Sequence, residues 1–559
     1  KVVAGLRWRT LYQMMARALS TIFLFPVVVG AFMSQPGCVI IMPRQGIYSS
    51  ACAGQRRPVV LSDEKSSAGC PWRRLSTALS VSHQSTATSR DEDLADLMRW
   101  AGEAGGIRSP GLKAGFIEGL RGLVATQRIR PNSEMVVVPS ETSLVTTTDQ
   151  PCPFPEYVGR DFWAKSQWYV RLALLLLREK QMGTESKLHP WISRLPAAFG
   201  TPIAWSASEL SELQYPHMEE TVKEQRREWA ELHASLTATS PACGITEEEL
   251  SWAMGVAYSR AFRRGLREFG PYEGRGPKER LIELALVAML AGGYLGLGFG
   301  DAGQVANGAL AVLIGIPLRD FLTTKLLQLK RYALTPVVDL LNHDSGVESD
   351  VSYNYFYGHF AVTTTARWRP PQQGWEAGEQ VLISYGPRSN DDLLQRYGFV
   401  EADNPNDVYR ITGLLNKLSG LVGEESVRVL RGSGEVLGAS GPVDTVTLGR
   451  GGLVGAEEEA KVMSALRLAV VRDDQLPQGK VAHISLKDFS NEISPANERA
   501  ARRTFRELCI KEREGFSTSI DQDENVISSV DKSITANKRL ALAFRIEKKK
   551  VLDAAIAAL

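Results

Sequence analysis

Three short stretches set groups capable of chemistry beside apolar sequence. In "TPVVDLLNHDSG", Thr335 to Gly346, an acid, an amide and an imidazole (Asp339, Asn342 and His343) follow an apolar run. About forty residues on, "GEQVLISYGPRSNDDLLQRYGF" puts Tyr385 at the end of a strand-like run, and Gly386 turns the chain directly after it. Upstream, "YSRAF", Tyr258 to Phe262, carries Arg260. Asn342 and His343 can bond a polar ligand through side chain and backbone. A tyrosine hydroxyl can orient a nucleophile and favour charge that develops in a transition state. A guanidinium can pair with a carboxylate through two parallel bonds. A plainer reading stands beside each. Asn342-His343 has the alternative of a capped turn after a buried strand, Tyr385 of an ordinary strand aromatic, and Arg260 of a surface ion pair. Tyr397 and Phe399 read as plain core.

Strands and helices must hold these groups. "DLADLMRWAGEAGG" has Leu94, Leu97 and Trp100 at helical spacing, and Gly105-Gly106 stops the helix. "RGLVATQRIRPNSEMVVVPSETSLVTT" reads as short strands broken by a Pro-Asn turn. From Pro151 to about residue 270 the pattern is helical, with a Pro-rich aromatic loop, "LHPWISRLPAAFGTPIAW", between two helices. Strand-like text returns at residues 353–366 and 380–385. After Arg410 the chain becomes amphipathic helix, apart from a Gly-rich, loop-like stretch at about 418–455.

One segment does not fit. Residues 279–318 are apolar and Gly-rich and contain G-x-G-x-x-G at Gly298, Gly300 and Gly303, with Asp320 beyond. A dinucleotide site needs a β-branched strand before such glycines and further βαβ units after them, and neither is present. A buried or membrane-contacting helical hairpin and a translated intron both remain open.

Composition excludes some classes. Hydrophobic content of 44% and charged content of 23% suit a globular chain of about two to four domains. Net charge is +2, yet residues 1–90 hold eleven Lys or Arg against Asp63 and Glu64, so the remainder is mildly acidic. A binder driven by nucleic-acid phosphate is therefore not expected. The six cysteines show no C-x-x-C spacing, so neither structural zinc nor a disulfide framework is expected. The start reads as a leader, with Met14 or Met15 as the expected first residue. Its apolar run Ile22 to Val29 ends in Gly30, Ala31 and Phe32, like a signal peptide. Residues 33–90 are Ser-, Thr- and Arg-rich and acid-poor, like a transit peptide, and are expected to be disordered.

The motif order Asn-His, Y-G-x-x-S-N, then Y-G-F resembles the SET-domain protein-lysine methyltransferases, and more narrowly the plastid Rubisco large-subunit methyltransferase group. "EGLRGLVAT", "PWISRLPAAFGTPIAW", "YSRAF", "NPND", "REGFSTSIDQDENVI" and "ANKRLALAFRIEKKKVL" carry the resemblance along about residues 92–265 and 331–559. It implies an α+β chain. A β-rich SET fold with a threaded, knot-like C-terminal segment would span 91–409 and hold a helical insertion at about 150–330. An all-α substrate-binding domain would follow at 410–559.

The resemblance also implies S-adenosyl-L-methionine as cofactor, no metal, and Tyr385 as the catalytic hydroxyl. Gly119, Leu120, Arg121, Arg260, Asn342, His343, Tyr397 and Phe399 would meet the cofactor. Arg260, Phe262, Arg264, Asp339, Tyr353 and Tyr385 would meet the substrate. "EGLRGLVAT" departs from the family in having Leu120 where G-x-G has its first glycine. Phe262 suits a lysine stem, where the actin-histidine branch carries Asn. The implied partner is a plastid protein with an exposed lysine, such as Rubisco large subunit or fructose-bisphosphate aldolase. The implied enzyme is a stromal monomer, delivered by the two-part leader, without nucleic acid. Membrane contact is expected only if 279–318 anchors it. The alternative is a non-catalytic SET-fold scaffold in a plastid complex.

Overall fold

Alternation of apolar and polar residues builds the strands around the motifs. In β10 (Gln380–Ile383) Val381 and Ile383 are buried and Gln380 and Leu382 less so. This strand is central. It pairs antiparallel with β2 (Leu120–Ala125) on one side and parallel with the two-residue β7 (Asn342–His343) on the other. With β1 (Leu112–Ile117) they form a sheet of order β1-β2-β10-β7. A second sheet has the order β3-β9-β8, from Glu134–Pro139, His359–Thr364 and Ser349–Asn354. A third has the order β4-β6-β5, from Leu144–Thr147, Lys330–Leu334 and Phe262–Gly265.

The computed structural model describes residues 87–265, 330–364, 374–423, 445–471 and 486–559. Residues 118, 132, 148–149, 355–358, 530 and 532 are excepted. All described residues lie within one unit, Ala68–Leu559. The leader and the apolar segment 279–318 fall outside the described residues. Among the described residues, no helix is long and apolar enough to cross a membrane, and no group of His, Cys, Asp or Glu side chains could hold a metal.

Helices pack on these sheets for legible reasons. α1 (Ala87–Glu103) buries Leu94, Leu97 and Ala101 and ends where Gly105-Gly106 was expected to stop it. α2 (Trp168–Met182) is buried along most of its length, and α3 (Pro216–Thr239) keeps a charged outer face. α4 (Glu247–Arg260) starts at a capping box: the Glu249 amide donates to Thr246, and the Thr246 amide donates to the Glu249 carboxylate. Its last residue is Arg260.

Two apolar cores result. The first lies among the three sheets, α1, α2 and α4. The second joins residues 205–222 of the insertion to the C-terminal region. That region is helical, as expected: α6 (Leu414–Val422), α7 (Ala456–Ala469), α8 (Pro495–Glu514), α9 (Ile520–Ser528) and α10 (Ala536–Ala558). It also contains a small antiparallel sheet, β11-β12-β13, at Tyr409–Thr412, Thr445–Gly449 and Gly452–Leu453. The all-α and loop expectations give way there because "TVTLG" alternates, burying Val446 and Leu448. Between the cores runs α5 (Asn390–Tyr397), whose Leu394 belongs to the second.

Candidate active site

The approach to β7 stores strain. Val337 has φ 68° and ψ −44°, and the Val338 amide donates to the Pro336 carbonyl at 2.8 Å, which is a γ-turn at a β-branched residue. Such a conformation costs on the order of 1–3 kcal/mol. It persists because Val337, Val338, Leu340 and Leu341 are all buried. The turn presents Asp339, whose carboxylate accepts the Trp191 indole N–H at 3.3 Å.

Burial of the Asn-His pair is explained by backbone groups that the side chains satisfy. Leu382 lies opposite Asn342 and Ile383 opposite His343. The Asn342 side-chain amide donates to the Arg121 carbonyl on β2 at 2.9 Å. His343 Nδ1 accepts the Tyr385 amide N–H at 3.0 Å, which puts the neutral ring's proton on Nε2. Nε2 lies 3.6 Å from the Glu401 carboxylate. In return the Tyr385 hydroxyl donates to the Leu341 carbonyl at 2.7 Å. Tyr385 is thus held at both ends by the Asn-His segment.

Aromatic rings close around it. Tyr385 stacks between His343, at 5.0 Å, and Tyr397, at 4.7 Å, while Phe399 sits 6.0 Å from His343. Burial pushes the Tyr385 hydroxyl above its ordinary range; Tyr397 and Asp339 add to this and Arg260 opposes it. The hydroxyl is protonated at neutral pH, so it serves as a neutral hydrogen-bonding group.

Beside the stack, Arg260 Nε and Asp339 Oδ1 are buried with no hydrogen-bond partner among the described residues. Buried polar atoms are nearly always satisfied, and both of these groups act electrostatically on the Tyr385 hydroxyl, so they mark a place where a polar ligand fits. The Arg260 guanidinium also faces the Phe199 ring at 5.6 Å. Arg121 shares this environment. Burial and then Arg260 pull its guanidinium down to about 10, against Asp339 and Asp93. Its Nη1 donates to the Arg194 carbonyl at 2.5 Å.

The departure in the glycine motif has a local answer. Leu120 is an ordinary strand residue opposite Ile117, and the positive φ of the hairpin, 85°, falls on Gly119. Gly122 allows a close approach of neighbouring side chains. A Cβ there would meet Ile117 Cδ1 at 2.7 Å, Gln380 Nε2 at 2.8 Å and Asn342 Nδ2 at 3.1 Å. The turn therefore needs glycine at 119, while at 122 a side chain would displace the tips of three neighbouring side chains.

The remaining expected residues sit on other sheets. Phe262 and Arg264 lie in β5, opposite Ala333 and Arg331 of β6. Tyr353 lies in β8, which touches β5; its ring packs on Phe360 at 4.8 Å and carries the Arg331 guanidinium at 4.5 Å. Sequence reasoning missed Glu401, the Leu341 carbonyl and Trp191. Glu401 follows the Y-G-F motif by two residues, which was an available signal; a backbone carbonyl carries none.

Residues 436–552 match the family described as Rubisco LSMT substrate-binding. The chain is 24% identical to [Fructose-bisphosphate aldolase]-lysine N-methyltransferase, chloroplastic, of Arabidopsis thaliana, over 83% of this chain and 82% of that protein. It is 22% identical to ribulose-1,5 bisphosphate carboxylase/oxygenase large subunit N-methyltransferase, chloroplastic, of Nicotiana tabacum, over 69% and 65% respectively. It is also 22% identical to human actin-histidine N-methyltransferase, over 84% and 68%. Among solved structures, the SET domain of LSMT bound to lysine and AdoHcy aligns with TM-score 0.55 and 18% identity, over 84% of this chain and 91% of that one. The fold is that of the SET domain with a C-terminal helical region, and the resemblance to the Rubisco large-subunit methyltransferase group holds.

Proposed function

We propose that this chain, with its SET-domain fold and its C-terminal match to the Rubisco LSMT substrate-binding family, is an S-adenosyl-L-methionine-dependent protein-lysine N-methyltransferase. Its substrate is a plastid protein such as Rubisco large subunit or fructose-bisphosphate aldolase. The observation that carries this reading is the mutual lock of Tyr385 with Leu341 and His343, within the electrostatic reach of Arg260 and Asp339, whose Nε and Oδ1 are unsatisfied.

The cofactor supplies a methyl carbon bonded to a sulfonium, open to in-line attack by an amine. Arg260 would hold its carboxylate, and the backbone at Gly119, Leu120 and Arg121 together with Asn342 and His343 would line it. Tyr397 and Phe399 would flank it. With its O–H donated in a hydrogen bond to the Leu341 carbonyl, the Tyr385 oxygen is left to accept an N–H from the incoming amine. That contact aims the nitrogen lone pair, and alignment of this kind lowers a barrier by several kcal/mol. Tyr385 keeps its own proton, so water takes the one released by the lysine. Cationic Arg260 and Arg121 and a dry site favour the neutral amine before attack. Phe262, Arg264, Asp339 and Tyr353 form the substrate side, and the Phe262 ring suits methylenes better than an imidazole that needs a bonding partner. The chloroplastic relatives support a plastid location.

The test is to incubate the protein with tritiated S-adenosylmethionine and, separately, Rubisco, aldolase and stromal extract, then locate the label by peptide mass spectrometry. Label on lysine, largely lost with Tyr385→Phe, is expected. Label on histidine would move the chain to the actin-histidine class. No label together with no binding of S-adenosylhomocysteine would favour the scaffold.

A further inference from the structure

The C-terminal helix α10 buries three cations, Arg545, Lys548 and Lys549. Arg545 and Lys549 both pair with Asp523 of α9. Lys548 instead reaches out of the C-terminal helices. Its Nζ donates to Asp407 Oδ1 at 2.6 Å and to the Val408 carbonyl at 2.7 Å, and lies 2.9 Å from Asp391 Oδ1. Two hydrogen bonds and an ion pair to the second carboxylate thus surround a fully buried charge.

Those acceptors hold the start of α5. Asp407 also accepts the Asn390 backbone amide at 2.9 Å and its side-chain amide at 3.0 Å. The other oxygen of Asp391 takes the Arg410 guanidinium at 2.5 Å. Asn390 exchanges two bonds with the backbone of Glu401, both 3.0 Å, and Asn404 bonds the Arg388 carbonyl at 2.9 Å. "NPND" and the first turn of α5 thus form one clamp that Lys548 closes. α5 is eight residues long, about 12 Å. At its far end Tyr397 stacks on Tyr385, and just beyond it Glu401 faces His343.

We infer that Lys548, although it lies in the segment matched to substrate binding and bonds to no member of the Tyr385 cluster, is a positioning residue for the reaction: through Asp391 and Asp407 it sets α5 so that Tyr397 and Phe399 meet the cofactor. This rests on the methyltransferase reading. Without the ammonium, two buried carboxylates face one guanidinium. They repel or draw in water, and a short rigid helix carries that displacement to its other end.

Binding of S-adenosylhomocysteine to the full chain, followed by calorimetry well below unfolding, tests this. Lys548→Met should weaken binding about tenfold or more. Leu552→Ala, a fully buried apolar change on the same helix outside the clamp, should leave binding within about threefold while lowering stability. The charge-balanced Lys548→Met/Asp391→Asn variant should bind better than Lys548→Met but still about threefold or more below wild type. It keeps the question decidable should the single variant not fold. Wild-type affinity in both Lys548 variants, or an equal loss in Leu552→Ala, overturns the inference alone. No binding by the wild type overturns the methyltransferase reading and this inference with it.

Discussion

Tyr385→Phe removes one oxygen and keeps the ring, so it separates chemistry from packing. The stack with His343 at 5.0 Å and Tyr397 at 4.7 Å is retained. The bond of 2.7 Å to the Leu341 carbonyl is lost, and Leu341 is only 1% exposed. An unsatisfied buried acceptor costs about 1–3 kcal/mol of stability. The catalytic effect should be larger. A preorganised group aimed at the reacting atoms is worth roughly 10²–10³ in kcat, or about 2.7–4 kcal/mol. Three measurements separate the terms: urea unfolding, S-adenosylhomocysteine calorimetry, and kcat from methyl transfer to the protein target. Cofactor affinity should stay within about threefold while kcat collapses. The wild type should also show no change in kcat from Tyr385 ionisation below the ordinary tyrosine value of 10.0, because burial raises the hydroxyl above it. A folded Tyr385→Phe protein with kcat within about fivefold of wild type refutes the role argued for the hydroxyl.

Two further outcomes follow from buried charges. Burial alone would raise the Glu401 carboxyl, but the His343 ring 3.6 Å away and the bond from the Ser345 amide outweigh it and hold the group below its ordinary 4.5. A depressed carboxyl stabilises the fold fully above its ordinary value and loses that contribution as pH falls through its lower folded value. The stability gap between wild type and Glu401→Gln should therefore be level above 4.5 and shrink below it; a gap that widens on acidification, in urea melts at stepped pH, contradicts the pairing. Asp523 is bonded by Arg545 at 2.6 and 2.8 Å and by Lys549 at 2.6 Å. Asp523→Ala leaves Lys549 without a carboxylate and Arg545 with Glu212 alone, and should cost about 3–5 kcal/mol in urea unfolding, with S-adenosylhomocysteine affinity per folded molecule unchanged. Wild-type stability in that variant would show that the cluster contributes nothing.

Much of the site was legible because its signals are local. Apolar alternation placed β2, β3 and β10, and Gly105-Gly106 placed the end of α1, since strand period and helix stops depend on neighbours in sequence. The glycine turn was legible only to within one residue. Leu120 looked like a defect until the hairpin register put the positive φ on Gly119 and the close approach on Gly122. "TVTLG" carries the usual strand alternation, but the glycines around it mask that signal.

Residue types, their order and the amphipathic faces were settled by the sequence itself: an Asn-His pair, a strand ending in tyrosine, and helices behind them. Which side chains meet was decided by the tertiary structure. His343 reaches the Tyr385 amide 42 residues away, and Lys548 reaches Asp407 across 141. Such pairs leave no periodic trace, because a buried charge or imidazole is placed by chain crossings that bring remote segments within 3 Å. A one-dimensional pattern records which face is buried; it does not record what lies across from it.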